Sequence, residues 1–155
     1  MAATLRFGQH FSFYDGLSYN RSEYQDNYAT GAANTIVQTA GKLVPNSPEW
    51  LNKFVASVNY GPFEAQLNGD LVGDRYATYT NDLKVKGYFL LGLQASYRIP
   101  TKATSWFKQP KIALNVTNLT DRKGDYEVVV GQPANTYNTY PMPPRMWFIT
   151  LSSGF

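Results

Sequence analysis

From Phe63 to Asp74 the chain alternates residue by residue. Phe63, Ala65, Leu67, Gly69 and Leu71 fall on one side, and Glu64, Gln66, Asn68, Asp70 and Asp74 on the other. Successive side chains of a β-strand point to opposite faces, so this period of two predicts a strand. Carboxylates spread along one strand face do not sit in a dry core, because burying an unpaired charge is costly. The strand therefore divides an apolar medium from a wet one. Two architectures satisfy that condition: a sandwich with one solvated face per sheet, and a membrane barrel around a polar interior.

The same alternation recurs along the chain. Residues 2–7 read as a strand stub, and 11–24 as a strand with Phe11, Phe13, Leu17 and Tyr19 opposite Ser12, Gly16, Ser18, Asn20 and Ser22. Over 49–60, Trp50, Phe54, Ala56, Val58 and Tyr60 oppose Lys53, Ser57 and Asn59. In 87–99, Phe89, Leu91, Leu93, Ala95, Tyr97 and Ile99 oppose Gln94, Ser96 and Arg98, with Tyr88 and Leu90 on the polar side near the start. Ile112, Leu114 and Val116 alternate with Ala113, Asn115 and Thr117. The last strand, 144–155, sets Trp147, Ile149, Leu151 and Phe155 against Thr150, Ser152 and Gly154. Between the strands lie polar loops at about 25–48, 75–86 and 119–143, alternating with short connections at Gly8–His10 and Gly61-Pro62 and a connector over 100–110. Long and short connections in alternation predict an all-β, antiparallel, up-and-down sheet of about seven strands, with the long loops at one end, as in outer-membrane barrels. No helix-period segment or internal repeat competes.

Composition narrows the function classes. The 155 residues suffice for one domain, and cysteine is absent, which excludes disulfides and thiolate metal sites. The formal charge of +3 comes from scattered Lys and Arg without a basic run, so a nucleic-acid partner has no electrostatic footprint. No run approaches the ~18 apolar residues of a membrane helix. The N-terminal Met-Ala-Ala-Thr-Leu-Arg-Phe-Gly lacks the charged and apolar regions of a secretion signal. An aromatic share of 15% beside a hydrophilic mean hydropathy of −0.36 fits a barrel whose every second residue faces a polar interior. A secreted carbohydrate-binding β-sandwich shares that composition.

Several residues together resemble a known family, the C-terminal barrel of TonB-dependent outer-membrane receptors. Asn118-Leu119-Thr120-Asp121 resembles the Asn-Leu-x-Asp signature before the last extracellular loop, and Pro144-Arg145 opens a strand ending in Phe155 as the family's terminal strand does. Gly41, Pro48-Glu49-Trp50, Gly73-Asp74-Arg75-Tyr76 and Asn81 follow the family's order. Two departures stand out: Arg122 to Asp125 intervene before Tyr126, and Ser153 occupies a lipid-facing position usually filled by a larger apolar residue. Barrels of this family have about 22 strands around a plugged lumen, so the resemblance implies the C-terminal third of a receptor. It implies transport of a scarce ligand such as a siderophore or oligosaccharide, no bond-making chemistry, and no cofactor. The implied location is the bacterial outer membrane. The implied partners are outer-membrane lipid, the remaining strands and plug, the TonB system acting through that plug, and the outer-membrane assembly machinery. The alternatives are a self-contained barrel of about eight strands with a structural or adhesive role, and the secreted sandwich.

The candidate residues follow from placement. Tyr76, Tyr79, Tyr126, Tyr137 and Tyr140 lie in the long loops, where they either stack on a ligand or join an interfacial girdle. Trp50, Phe63, Tyr97, Trp147 and Phe155 lie near strand ends and read as girdle residues. By resemblance, Trp147, Ile149, Leu151 and Phe155 also form the assembly signal. The single histidine, His10, sits beside a short turn and reads as structural rather than metal-binding. Glu64, Asp70 and Asp74 read as a wetted wall rather than an acid–base pair, and the Asn-x-Ser/Thr triplets at Asn20, Asn115 and Asn118 carry no functional weight.

Overall fold

The computed structural model describes residues 1–31, 34–101, 108–130 and 136–154. In chain order the strands are β1 (Ala2–Phe7), β2 (Phe11–Tyr19), β3 (Tyr28–Thr30), β4 (Thr35–Val37), β5 (Trp50–Tyr60), β6 (Phe63–Val72) and β7 (Arg75–Tyr76). They continue with β8 (Lys84–Val85), β9 (Tyr88–Arg98), β10 (Lys108–Thr117), β11 (Asp125–Val130), β12 (Tyr137–Pro141) and β13 (Met146–Gly154). Seven of them form one sheet in the order β1-β2-β5-β6-β9-β10-β13, every neighbouring pair antiparallel. Skipping the short loop strands, this is sequence order, the up-and-down meander expected from the alternation.

Register fixes the faces. Phe13, Ala56, Leu67, Leu93, Val116 and Trp147 form one continuous cross-strand row, and Ser12, Ser57, Gln66, Gln94 and Asn115 form the adjacent row on the opposite face. Each strand is thus apolar on one face and polar on the other. The apolar face is not covered by another layer. Phe11, Leu71, Ile149 and Leu151 are all well exposed, and the few buried hydrophobics are Val116 and three loop residues, Ala77, Val85 and Val128. A sandwich buries its apolar face against a second sheet; here that face meets the surroundings. The sheet is also open: among the described residues β1 pairs only with β2 and β13 only with β10, so no small closed barrel forms. The 11 residues of β5 extend ~33 Å along the strand at ~3.3 Å per residue. At the 35–45° tilt of membrane barrels this gives an apolar band ~25 Å tall.

Aromatic side chains stiffen this face. The Phe54 ring lies over Gly69, where a Cβ would collide with it, and stacks between Phe13 and Phe89 at centroid distances of 6.0 and 6.1 Å. Gly69 is therefore the socket for a neighbouring ring. At the long-loop end Tyr19 packs on Trp50 at 4.6 Å, and Trp147 lies beneath the Arg145 guanidinium. At the other end Phe63 faces Tyr97 directly across the strands, and His10 meets Tyr60 edge-on at 5.1 Å with its Nδ1 2.8 Å from the Asn59 carbonyl. His10 thus closes a turn. The Gly61-Pro62 turn beside it has Gly61 at φ +56°, the left-handed value its two-residue geometry requires.

Several features differ from the sequence reading, among them that β10 begins at Lys108, inside the segment read as a connector, and β13 at Met146. The first strand after the stub stops at Tyr19, and from Ser22 to Tyr24 the backbone pairs instead with Gly41–Val44 of the same loop. Asp74 lies beyond the end of β6 at Val72 and does not continue the acidic wall; its carboxylate accepts from Gly87 N at 2.7 Å and pairs with Lys84 at 2.7 Å, closing the next hairpin. The apolar face also contains a polar pair: Asn52 Nδ2 donates to Asp15 Oδ1 at 2.8 Å, with Asp15 opposite Ala3 and Phe54.

Candidate functional site

The polar face carries two compensated groups of charges. Glu64 accepts from Lys111 Nζ at 2.9 Å, Ser96 Oγ at 3.2 Å and Arg98 Nη2 at 3.2 Å, and Lys53 pairs with Asp70 at 3.3 Å. Around the Glu64 group a shallow cavity of about 420 Å³ runs along the wall, lined by Gln66, Gln94, Asn115 and Thr150. These are hydrogen-bonding groups arranged for water or a polar filling, with no nucleophile–base arrangement.

The long loops are themselves hairpins: β3–β4, β7–β8 and β11–β12 each pair antiparallel. They are also fastened to one another. Asn81, at φ +59°, accepts at its side-chain oxygen from Leu43 N at 2.7 Å and donates its amide to Leu43 O at 2.9 Å, an amide-to-backbone clasp between the first two loops. Asn46 N donates to Tyr76 O at 2.7 Å. The third loop packs down through Val128, buried against Ala77 and Val85, and through Arg75, whose Nη2 donates to Tyr126 O. Packing and hydrogen bonds thus hold the three loops as one unit at one end of the sheet.

A second clasp holds the last two strands. Asn118 is buried at φ +47°; its Nδ2 donates to Arg122 O at 3.0 Å and Pro143 O at 2.8 Å, and its Oδ1 accepts from Arg122 N at 2.8 Å. Asp121 accepts from Arg145 N at 3.2 Å and pairs with Lys123 at 3.0 Å, while Arg145 reaches Leu119 O at 3.4 Å. Lys123, and after it the Arg145 backbone amide, hold the Asp121 carboxyl below its ordinary pKa. The Asn118–Asp121 stretch and Pro144-Arg145, separated by the third loop in sequence, meet here.

The loop tyrosines do not converge. Tyr79 joins Tyr24 and Tyr28 in an aromatic cluster, with Tyr24 at 6.2 Å from Tyr79 and 5.5 Å from Tyr28. Tyr126 packs on Tyr88 at 5.7 Å. Tyr137 lines a cavity of about 420 Å³ with Lys86 and Arg122, and Tyr140 stands exposed on β12 opposite Glu127. Tyr76 is half-buried on β7. Trp147, Ile149 and Leu151 share the exposed apolar edge of β13, and Phe155 lies outside the described residues. Sequence reasoning missed Tyr24, Tyr28 and Tyr88 as partners and took Arg75 and Asn81 only as motif members. A loop Asn between turn residues is a weak signal by itself; its clasp depends on a loop 38 residues earlier.

The sequence model described as TonB dependent receptor-like, beta-barrel matches residues 1–119. The chain belongs to the TonB-dependent receptor β-barrel family. No curated protein sequence matches. Three solved structures share the fold. The ferric citrate transporter FecA in its unliganded form has a TM-score of 0.69 at 20% identity, over 90% of this chain and 20% of that one. The ferric yersiniabactin uptake receptor FyuA of Yersinia pestis has 0.74 at 19% identity, over 99% and 22%. The siderophore receptor PiuA of Acinetobacter baumannii has 0.74 at 14% identity, over 96% and 20%. The chain therefore spans about one fifth of the length of each. In a barrel of this family the uncovered apolar face is the outside of the wall, the polar face lines the interior, and the braced loops stand at the mouth.

Proposed function

We propose that this chain is the C-terminal wall segment of an outer-membrane receptor that takes up a scarce ligand, such as a siderophore or an oligosaccharide. The observation that carries the reading is the two-faced, uncovered seven-stranded sheet with all its long loops braced at one end. Such a sheet needs partners on both open edges, because an unpaired backbone group in hydrocarbon costs several kcal/mol. The remaining strands supply them, and a plug inside the barrel transmits energy from the TonB system. The chain's own part is a water-lined wall and a rigid mouth. The likeness of fold to structures named as a ferric yersiniabactin uptake receptor and a siderophore receptor supports the siderophore half of this class.

The test is uptake in cells expressing the receptor that contains this chain, with labelled ferric chelates and oligosaccharides, before and after collapse of the inner-membrane proton gradient. Accumulation that is ligand-selective and lost on collapse supports the proposal. Equal accumulation in both states, or none for any ligand of either class, contradicts it.

A further inference from the structure

At the base of the loop assembly a cavity of about 310 Å³ opens on the polar side of the wall, bounded below by Leu51 and Val72, which face one another across β5 and β6. Arg75, Tyr88, Tyr126 and Glu127 line it together with Asn46 and Pro48. Arg75 is only 6% exposed, and its charge is poorly compensated. Nη2 donates to the Tyr126 carbonyl, the guanidinium lies 5.6 Å over the Tyr88 ring, and Nη1 is buried with no hydrogen-bond partner among the described residues. None of the ion pairs among those residues includes it. A buried guanidinium lacking an anion is expensive, and proteins ordinarily satisfy one with a carboxylate or phosphate in its fork.

We propose that this cavity is a binding subsite for an aromatic carboxylate group of the transported ligand. The carboxylate is held by Arg75, turning to present Nη1, and the ring packs against Tyr88 and Tyr126. This rests on the uptake reading and adds the chemistry of one contact. Arg75 offers the planar fork that matches a carboxylate, and the two tyrosines, 5.7 Å apart, offer an aromatic wall. The volume lies at the small end of ligand pockets, so the site takes a head group rather than a whole chelate. Glu127 on the rim adds one negative charge, limiting the site to a single anionic group and making that group bind more weakly than it would beside a neutral residue. The competing role for Arg75 is purely mechanical, a strut that holds the β11–β12 hairpin through the Tyr126 carbonyl.

The two roles give different outcomes. Binding of benzoate, and of neutral benzamide as its shape control, is measured by saturation-transfer NMR on outer-membrane vesicles containing the receptor. Vesicles containing Arg75→Gln, Arg75→Lys and Glu127→Gln are measured alongside, and protease sensitivity of the 118–145 loop reports its integrity. Benzoate should bind at least about ten-fold more tightly than benzamide. Arg75→Gln should erase the preference and Arg75→Lys keep part of it. Glu127→Gln should strengthen benzoate with the loop still protected, a gain that misfolding cannot produce. No benzoate binding, equal binding of the two probes, a preference that survives Arg75→Gln, or weaker binding in Glu127→Gln each overturns the proposal. Flux is not measured, so a failure of the uptake reading leaves this result interpretable.

Discussion

Replacing Asn118 isolates the clasp between β10 and β13. Its side chain makes three hydrogen bonds at 2.8–3.0 Å in a site only 7% exposed. A hydrogen bond contributes about 1 kcal/mol net, and a buried partner left unsatisfied costs about 1–3 kcal/mol. Arg122 N and Pro143 O lose their partner in Asn118→Ala, so this variant should be destabilised by about 3–5 kcal/mol, discounted toward the lower figure where water reaches the loop. The backbone adds a second, separable contribution. At φ +47° Asn is tolerated, Ala is strained by about 1 kcal/mol and Gly is not. Asn118→Gly removes the same bonds without that strain, so it should be about 1 kcal/mol less damaging than Ala. Asn118→Asp keeps the acceptor for Arg122 N but sets a carboxylate oxygen against two carbonyls, and should resemble Ala. Urea unfolding of the receptor in micelles, followed by loss of its folded electrophoretic form, reads these differences. A loss below about 1 kcal/mol for Ala, or a Gly variant worse than Ala, would refute both the clasp and the strain argument.

Three other outcomes follow from the structure. Lys84, and after it the Gly87 amide, lower the Asp74 pKa from 3.8, so the folded form gains stability that is present above the unfolded value and lost as pH falls through the folded one. The protection factor of the Gly87 amide, the intrinsic exchange rate divided by the observed rate at the same pH, should therefore fall on acidification from about pH 4 downward, and in Asp74→Asn should no longer change with pH in that window. Leu67→Arg, on the outer face near mid-wall, should cost roughly 2–4 kcal/mol, whereas Gln66→Arg on the inner face should cost much less; folding titrations into bilayers compare them, and equal costs would be inconsistent with the register. Deleting Phe155 should lower the amount of receptor assembled in the outer membrane with synthesis unchanged, read by fractionation and pulse labelling; undiminished assembly would remove its role as a signal.

The wall was legible because period two is a local signal sustained over nine to eleven residues, as in Phe63–Val72 and Tyr88–Arg98. The turns were legible from Gly61-Pro62. The loop hairpins were not. Strands of two or three residues such as Arg75–Tyr76 and Thr35–Val37 are too short to show a period. The Val128–Val130 run of β11 does not alternate at all, and its inward face is chosen by packing against Ala77 and Val85. The Asp15–Asn52 pair was hidden for a related reason. Each residue alone is one exception in an apolar series, and only the β2–β5 register brings them within hydrogen-bond distance. The aromatic abundance drew attention to the loops, but sequence could not say which tyrosines meet. Tyr88, assigned to a strand, is the one that joins Arg75 and Tyr126.

The division of the wall into an outer, lipid-bathed face and an inner, wet one is the claim on which the rest depends, and single cysteines test it in the assembled receptor. Cysteine is absent from this chain, so each introduced thiol is the only one in the segment, and any cysteines elsewhere in the receptor are replaced by serine first. Leu67 and Leu91 lie on the apolar face two strand positions apart, and Gln66 and Gln94 face one another on the polar side. Leu67→Cys and Leu91→Cys should resist a membrane-impermeant maleimide and be quenched by lipid-borne nitroxide. Gln66→Cys and Gln94→Cys should react with the maleimide through the interior and escape the nitroxide. Equal labelling of both sets, or the reverse pattern, would contradict it.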